Sequence, residues 1–298
     1  MELALREETK PTLPLASWLA GQLSAQTARA YRADVRQFLA FVGTELEAVC
    51  RADVQEYRHW LVGQYKPSTV NRKLSCIRQL FAEAVRHGIM PVSPADGIRG
   101  CRTEKGYSVA RTPSLVQVIA VLDSLTGSSL PECRDRAMLY VMATLGLRRQ
   151  EVADLCVDSI MEDEGQTCLE IHGKGNKRRR EVLPVNALTA VRTWISAGEL
   201  SSSAPLFPQL TRNGDWQIGS TLTGNGVWHI IRKRFATVGV RDLSPHSLRR
   251  FAITYLLQRG MPLWRVQRLA GHADPVTTQR YNQAADDLAN SAAKYIDF

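Results

Sequence analysis

Residues 269–281 read LAGHADPVTTQRY. Gly271 closes one amphipathic stretch, 262–270, and Asp274-Pro275 opens another, since aspartate caps helix starts and proline fits the first helical turn. The segment therefore predicts two helices joined at a glycine, with His272 at the edge of the first and Tyr281 on the second. Taken singly, a tyrosine on a short amphipathic helix is a core residue. Beside other reactive groups it is also a candidate for chemistry, and the surrounding chain decides between the two.

Just upstream, residues 243–250 read LSPHSLRR. Ser244-Pro245 predicts a helix start and Gly260 its stop, which places His246 and Arg249 on one face beside the partial positive charge of the helix N-terminus. That is a site for an anion such as a phosphate diester; a histidine near a cap is equally a structural residue. Residues 144–155, TLGLRRQEVADL, lie in a stretch read as helical over 134–155, and Arg148 and Glu151 share a helix face there. A surface ion pair would explain them, but Gly146 predicts an interruption that leaves Arg148 near a fresh helix N-terminus. Residues 172–177, HGKGNK, fall between two predicted strands, 167–171 and 181–185. The glycines permit a tight turn from which Lys174 projects, either as a reactive group or as an ordinary basic tip. The phosphate-loop spacing GxxxxGK[ST] is absent.

The first hundred residues predict three helices, 24–42, 53–64 and 69–87, the last capped by Ser68. On that third helix Arg72, Lys73 and Arg78 fall mainly away from the apolar stripe, as a solvated polar face or as contacts to a polyanion. Residues 97–113 are glycine-rich, basic and aperiodic, and Thr112-Pro113 predicts a new helix. The domain reading is a helical bundle over 10–98, a linker over 99–112 and a second domain over 113–298. The fold class is mostly α, with a small antiparallel β-sheet in the second domain.

A chain of 298 residues with 44% hydrophobic content has material for two cores. Its 38 Lys+Arg exceed 29 Asp+Glu, for a net charge of +9. The excess concentrates in two zones, 66–105 and 228–281, which suits a protein gripping a rod-like polyanion from two sides. The six cysteines form no CxxC pair, which argues against disulfides and zinc and for a reducing cytosol. The start, MELALREETK, lacks the apolar region of a signal peptide, and the apolar run 137–147 is far too short to span a membrane. A cytoplasmic protein without membrane partners is the expectation.

In order, GLRRQE (146–151), GKGNK (173–177), SPHSLR (244–249) and GHADPVTTQRY (271–281) resemble the tyrosine recombinase (phage integrase) family, with an Xer-like character. The likeness extends to the front of the chain, where Thr27, Tyr31, Asp34, Val35 and Phe38 match the opening of its SAM-like DNA-binding domain. The resemblance implies a core-binding bundle followed by a catalytic domain acting on double-stranded DNA at a specific site. It implies that Tyr281 attacks a phosphodiester to give a 3′-phosphotyrosyl link, and that Arg148 and Arg249 clamp the non-bridging oxygens. Lys174, or else Lys177, would protonate the 5′-oxygen; His246 would take the tyrosine proton or bond the phosphate; His272 would donate to a phosphate oxygen; and Glu151 would orient Arg148 or His246. Arg72, Lys73, Arg78, Lys177 and Arg250 would contact DNA. No metal, cofactor or ATP is implied, and the assembly would be a tetramer of this chain or a hetero-tetramer with a related recombinase. The biological role is left open among integration, excision, transposition and resolution. Arg250 stands where many members carry histidine, the charged run 177–181 leaves the hairpin register open, and apolar residues of the tail (Leu288, Tyr295, Ile296 and Phe298) would dock on a neighbouring protomer. A type IB topoisomerase-like enzyme, a hairpin-telomere resolvase and a non-catalytic DNA-binding protein are the competing readings.

Overall fold

A computed structural model describes residues 17–19, 25–102, 112–173, 177–211, 213–244, 246–272 and 274–283. The chain divides into two compact units, Met1–Gly106 and Tyr107–Phe298. Lys174 and the tail residues Leu288, Tyr295, Ile296 and Phe298 lie outside the described residues.

In the first unit three helices, α1 (Ala25–Val42), α2 (Arg51–Gln64) and α3 (Pro67–Arg86), pack around an aromatic centre. Phe38 meets Tyr57 edge-on at 5.0 Å and Phe81 at 5.7 Å, and all three side chains are fully buried. Rings at these spacings and angles add quadrupole attraction to burial worth roughly 1.5–3 kcal/mol each. Helix α3 starts one residue before the expected serine cap: Pro67 occupies the first turn, where its missing N–H costs nothing, and Lys66 is the cap residue. Helix α2 starts two residues earlier than its pattern predicts, because the Asp53 carboxylate accepts the Cys50 amide at 2.7 Å and so serves the third position, not the first.

The polar face of α3 is turned inward more than the sequence predicts. Asp34 is buried on α1 and receives Arg72 and Lys73, the latter at 2.8 Å; Lys73 also reaches Gln37 Oε1 at 2.7 Å. Lys73 is 8% exposed, so its assignment as a DNA contact is corrected: its ammonium neutralises a carboxylate inside this unit. Removing one partner of such a buried pair costs about 3–5 kcal/mol. Arg78 donates to the Ile98 carbonyl, while Arg72 keeps a substantially exposed side chain. The first residues of the expected linker are also tied down, with Arg58 donating to the Arg99 carbonyl at 2.6 Å and Asn71 bonding both the amide and the carbonyl of Cys101 at 2.7 and 2.9 Å.

The second unit opens with α4 (Leu115–Asp123). Ser114, rather than Thr112, caps it, exchanging hydrogen bonds with Gln117. The helical stretch expected over 134–155, with its interruption at Gly146, is two helices, α5 (Leu130–Leu145) and α6 (Arg149–Ala153). A three-stranded antiparallel sheet follows, β1 (Ile160–Asp163), β2 (Gln166–His172) and β3 (Arg178–Val182), in the order β1-β2-β3. The chain continues as α7 (Val185–Ala197), a β4 (Pro208–Leu210) and β5 (Trp216–Thr221) ribbon, α8 (Gly224–Thr237), α9 (Ser247–Gln258), α10 (Leu263–Ala270) and α11 (Pro275–Gln283). Helix α7 lies against α5, and Trp194, fully buried there, donates its indole N–H to Leu206 O at 2.7 Å.

Strand β3 begins three residues before the predicted 181, which fixes the hairpin register left open by the charged run. Ile171 pairs with Arg179 and His172 with Arg178, and Gly173 N–H donates to Lys177 O at 2.7 Å. Arg179 and Glu181 therefore face inward while Arg178, Arg180 and Val182 face out. Strands β1, β4 and β5 are absent from the sequence reading; they are short and carry no clean apolar alternation.

Candidate active site

Three backbone breaks build the site. Gly146 takes the left-handed conformation (φ 59°) at the end of α5, where a Cβ would also approach that of Ala252 to 3.3 Å. The turn delivers Arg148 as the cap residue of α6, whose start is closed by Glu151 accepting the Arg148 amide at 2.8 Å. The second break precedes α9. His246 is its cap residue rather than a first-turn residue, so the expected helical i, i+3 pairing with Arg249 is corrected; Ser247 Oγ, on the first helical residue, accepts the Ser244 amide at 2.8 Å. Pro245 lies outside the described residues. The third break is Gly271 (φ 58°), which ends α10 and turns His272 out before α11 begins.

These breaks converge on the C-terminus of α10. Its last carbonyls lack helical partners, and three arginines from three parts of the chain take one each. Arg179 Nε donates to Leu269 O at 3.1 Å, Arg249 to Ala270 O, and Arg148 to Gly271 O at 3.0 Å. Arg249, 3% exposed, also donates to Gly146 O at 2.8 Å and so ties the first break to the third. Burial, then the nearby Arg148 charge, pushes the Arg249 guanidinium down to about 10, which still leaves it protonated at neutral pH.

Glu151 lies beneath this cluster, 4% exposed. Its carboxylate receives Arg148 Nη1 at 2.6 Å and both terminal nitrogens of Arg179, at 3.1 and 2.9 Å. Burial by itself would raise its pKa; hydrogen bonds from Arg179 and the Arg148 amide outweigh that and hold the carboxyl below the usual range.

His272 and Tyr281 complete the group. Their rings stack 5.9 Å apart at 13°, and His272 Nδ1 is 2.8 Å from Oγ1 of fully buried Thr278. Burial, then Arg249, Arg148 and Arg179, pushes the His272 ring down to about 4, so it is neutral at physiological pH. Tyr281 packs partly against Ile253, Val266 and Ala270, the small apolar cluster joining α9, α10 and α11. The Tyr281 ring is thus a packing surface that also stands beside the Arg249 cation. His246 is exposed as a residue, yet partial desolvation of its ring, followed by Arg249 and Arg149, lowers its pKa.

The structure thus brings Arg148, Glu151, Arg249, His272 and Tyr281 together, with His246 within electrostatic reach. Lys177 and Arg250 lie outside this cluster, the first exposed at the hairpin stem and the second half-buried on α9. The residue absent from the sequence reading is Arg179. No apolar alternation marks it in the sequence; only the burial pattern of β3 shows that Arg179 and Glu181 share the inner face. Among the described residues no group of three or more His, Cys, Asp or Glu side chains is arranged to hold a metal ion, and no helix is long and apolar enough to cross a membrane.

Thr278 gives a direct test of the histidine geometry. Thr278→Val removes the partner of His272 Nδ1 and is expected to cost about 1–3 kcal/mol in chemical denaturation. Ring nitrogen shifts should move towards a mixed tautomer population in that variant and stay unchanged in Thr278→Ser.

A helical SAM-like unit followed by a mostly helical unit with a basic cluster around a tyrosine is one class of architecture, and comparisons with known proteins agree. The model of the phage integrase family matches residues 114–287, and that of the phage integrase N-terminal SAM-like domain matches 17–88. The chain is 31% identical over 281 residues to tyrosine recombinase XerD of Vibrio cholerae, covering 91% of this chain and 89% of that protein. It is 31% identical over 276 residues to tyrosine recombinase XerC of Pelobacter propionicus, covering 89% and 87%. Among solved structures, XerH site-specific recombinase bound to palindromic difH substrate has a TM-score of 0.74 at 20% identity, over 90% of this chain and 79% of that one. A lambda integrase tetramer bound to a Holliday junction has a TM-score of 0.66 at 14% identity, over 90% and 74%. The chain belongs to the phage integrase family of tyrosine recombinases.

Proposed function

We propose that this protein is a site-specific DNA recombinase that cleaves and rejoins strands through a 3′-phosphotyrosyl link at Tyr281. The observation that supports this most is the gathering of Arg148, Arg249 and neutral His272 around Tyr281, with Glu151 holding Arg148 from below. Two guanidiniums suit the non-bridging oxygens of a phosphodiester, because their planar donors match oxygens in pairs.

As the Tyr281 oxygen bonds to phosphorus, the P–O5′ bond breaks. The phenol proton passes to His246, Lys174 supplies a proton to the departing 5′-oxygen, and His272 donates its ring N–H to a phosphate oxygen. The phosphodiester energy is kept in the protein–DNA link, so attack by a second 5′-hydroxyl reseals the strand without ATP, metal or cofactor. The substrate is double-stranded DNA carrying a recombination site, with Lys177, Arg250, Arg72 and Arg78 contacting its backbone. The reaction is carried by a tetramer, of this chain alone or with a related recombinase, in the cytoplasm. Relatives solved on recombination sites and on a Holliday junction support this reading.

Duplex DNA nicked beside the cleavage point tests it, because the short 5′-hydroxyl fragment diffuses away and traps the covalent intermediate. Wild-type protein is expected to form a denaturation-resistant adduct. Lys174→Ala should form it slowly on normal DNA and at near wild-type rate on a 5′-bridging phosphorothioate, whose thiolate departs without an acid. Binding without any adduct would make the protein a DNA-binding accessory factor, and a Lys174→Ala defect that the sulfur fails to restore would move the acid to another residue such as Lys177.

A further inference from the structure

The three arginines on the α10 C-terminus are not equivalent. The Arg148 side chain is 31% exposed, so a phosphate oxygen can replace Gly271 O as the partner of its outer nitrogen. Arg249 is buried, yet its carbonyl partners Gly146 and Ala270 sit at the two breaks that frame the site. Arg179 is closed off. Its side chain is 12% exposed and each of its three donor nitrogens is already satisfied, one by Leu269 O and two by the Glu151 carboxylate.

Two glycines press on that same guanidinium. A Cβ at Gly271 would lie 3.1 Å from Arg179 Nη1, and one at Gly173 would lie 3.6 Å from it. Arg179 therefore touches the break before His272, the stem of the β2–β3 hairpin and the carboxylate that aligns Arg148. No other described side chain joins all three.

We propose that Arg179 is a positioning residue of the recombinase site: it fixes the 269–272 turn and Glu151 while Arg148 and Arg249 turn to the scissile phosphate. This rests on the recombinase reading above. When DNA draws Arg148 off Gly271 O, the Arg179–Leu269 bond still holds the end of α10, and the paired Arg179–Glu151 bonds keep the carboxylate from following. The groups facing His272 are then Arg249, Arg148, Arg179 and Glu151, with Tyr281 stacked on the ring.

Full-length Arg179→Lys and Arg179→Met are compared with Arg180→Met, a control on the outer face of the same strand paired with Asp163 and Glu170. On nicked DNA at saturating protein, both Arg179 variants are expected to form adduct about tenfold to a hundredfold more slowly, the loss that follows a misplacement near 1 Å. Their affinity for uncleaved DNA should stay within about twofold, because Arg179 does not face the phosphate. Removal of one of the cations around His272 should also raise the midpoint of its ring titration, followed by NMR, in Arg179→Met and not in Arg180→Met. Arg179→Lys keeps a cation but cannot serve three acceptors in one plane, so it carries the test if Arg179→Met does not fold. Wild-type adduct rates in Arg179→Lys would overturn the proposal, and so would a fall in DNA affinity matching the fall in rate, which would make Arg179 a phosphate contact. Failure of the wild-type protein to form adduct would instead overturn the recombinase reading.

Discussion

Tyr281→Phe is expected to abolish the covalent adduct on nicked DNA. The substitution removes one oxygen and nothing else: the ring still stacks on His272 and packs against Ile253, Val266 and Ala270. Stability and DNA affinity are therefore expected to match wild type, while adduct formation falls by roughly 10⁶-fold, the scale seen when a covalent nucleophile is deleted. In practice that is below detection by gel. Tyr295→Phe serves as the control and should retain the adduct. Persistence of the adduct in Tyr281→Phe would move the nucleophile elsewhere in the chain, and a loss of folding would assign the hydroxyl a structural role.

Arg249→Lys has the next largest effect. A single charge-aimed donor is worth about 3–4 kcal/mol in a transition state, so single-turnover adduct formation should slow by about 10²- to 10³-fold. Lysine keeps the positive charge, but its ammonium cannot reach Gly146 O, Ala270 O and a phosphate oxygen in one geometry. A lower melting temperature should accompany the slower rate, because Arg249 is buried and holds two chain breaks together. A variant that is destabilised yet cleaves at wild-type rate would leave Arg249 a purely structural residue.

What the sequence made legible was local. The apolar stripes of α1 and α3 follow helical spacing, and the glycines at 146 and 271 announce breaks because few other residues adopt a left-handed turn. The four motifs around Arg148, Gly173, His246 and Tyr281 each read as a short segment. What escaped was decided by charge burial. Lys73 has the profile of a solvated residue, and only the tertiary approach of Asp34 turns it inward. Arg179 sits in a run of charges, 177–181, that carries no apolar alternation, so neither the start of strand β3 nor the inward turn of this arginine is marked in the sequence. Hydrophobic periodicity registers what is buried by transfer from water, and it is silent on what is buried by pairing.

The bonds from Arg249 to Gly146 and from Arg148 to Gly271 close loops of 103 and 123 residues. Such distant closures form after local structure, since the intervening chain must first give up its freedom. During synthesis Arg148 emerges long before the carbonyls that aim it, and Tyr281 emerges last of the set. A nascent chain on the ribosome thus holds the whole first helical unit before the cluster around Tyr281 can assemble.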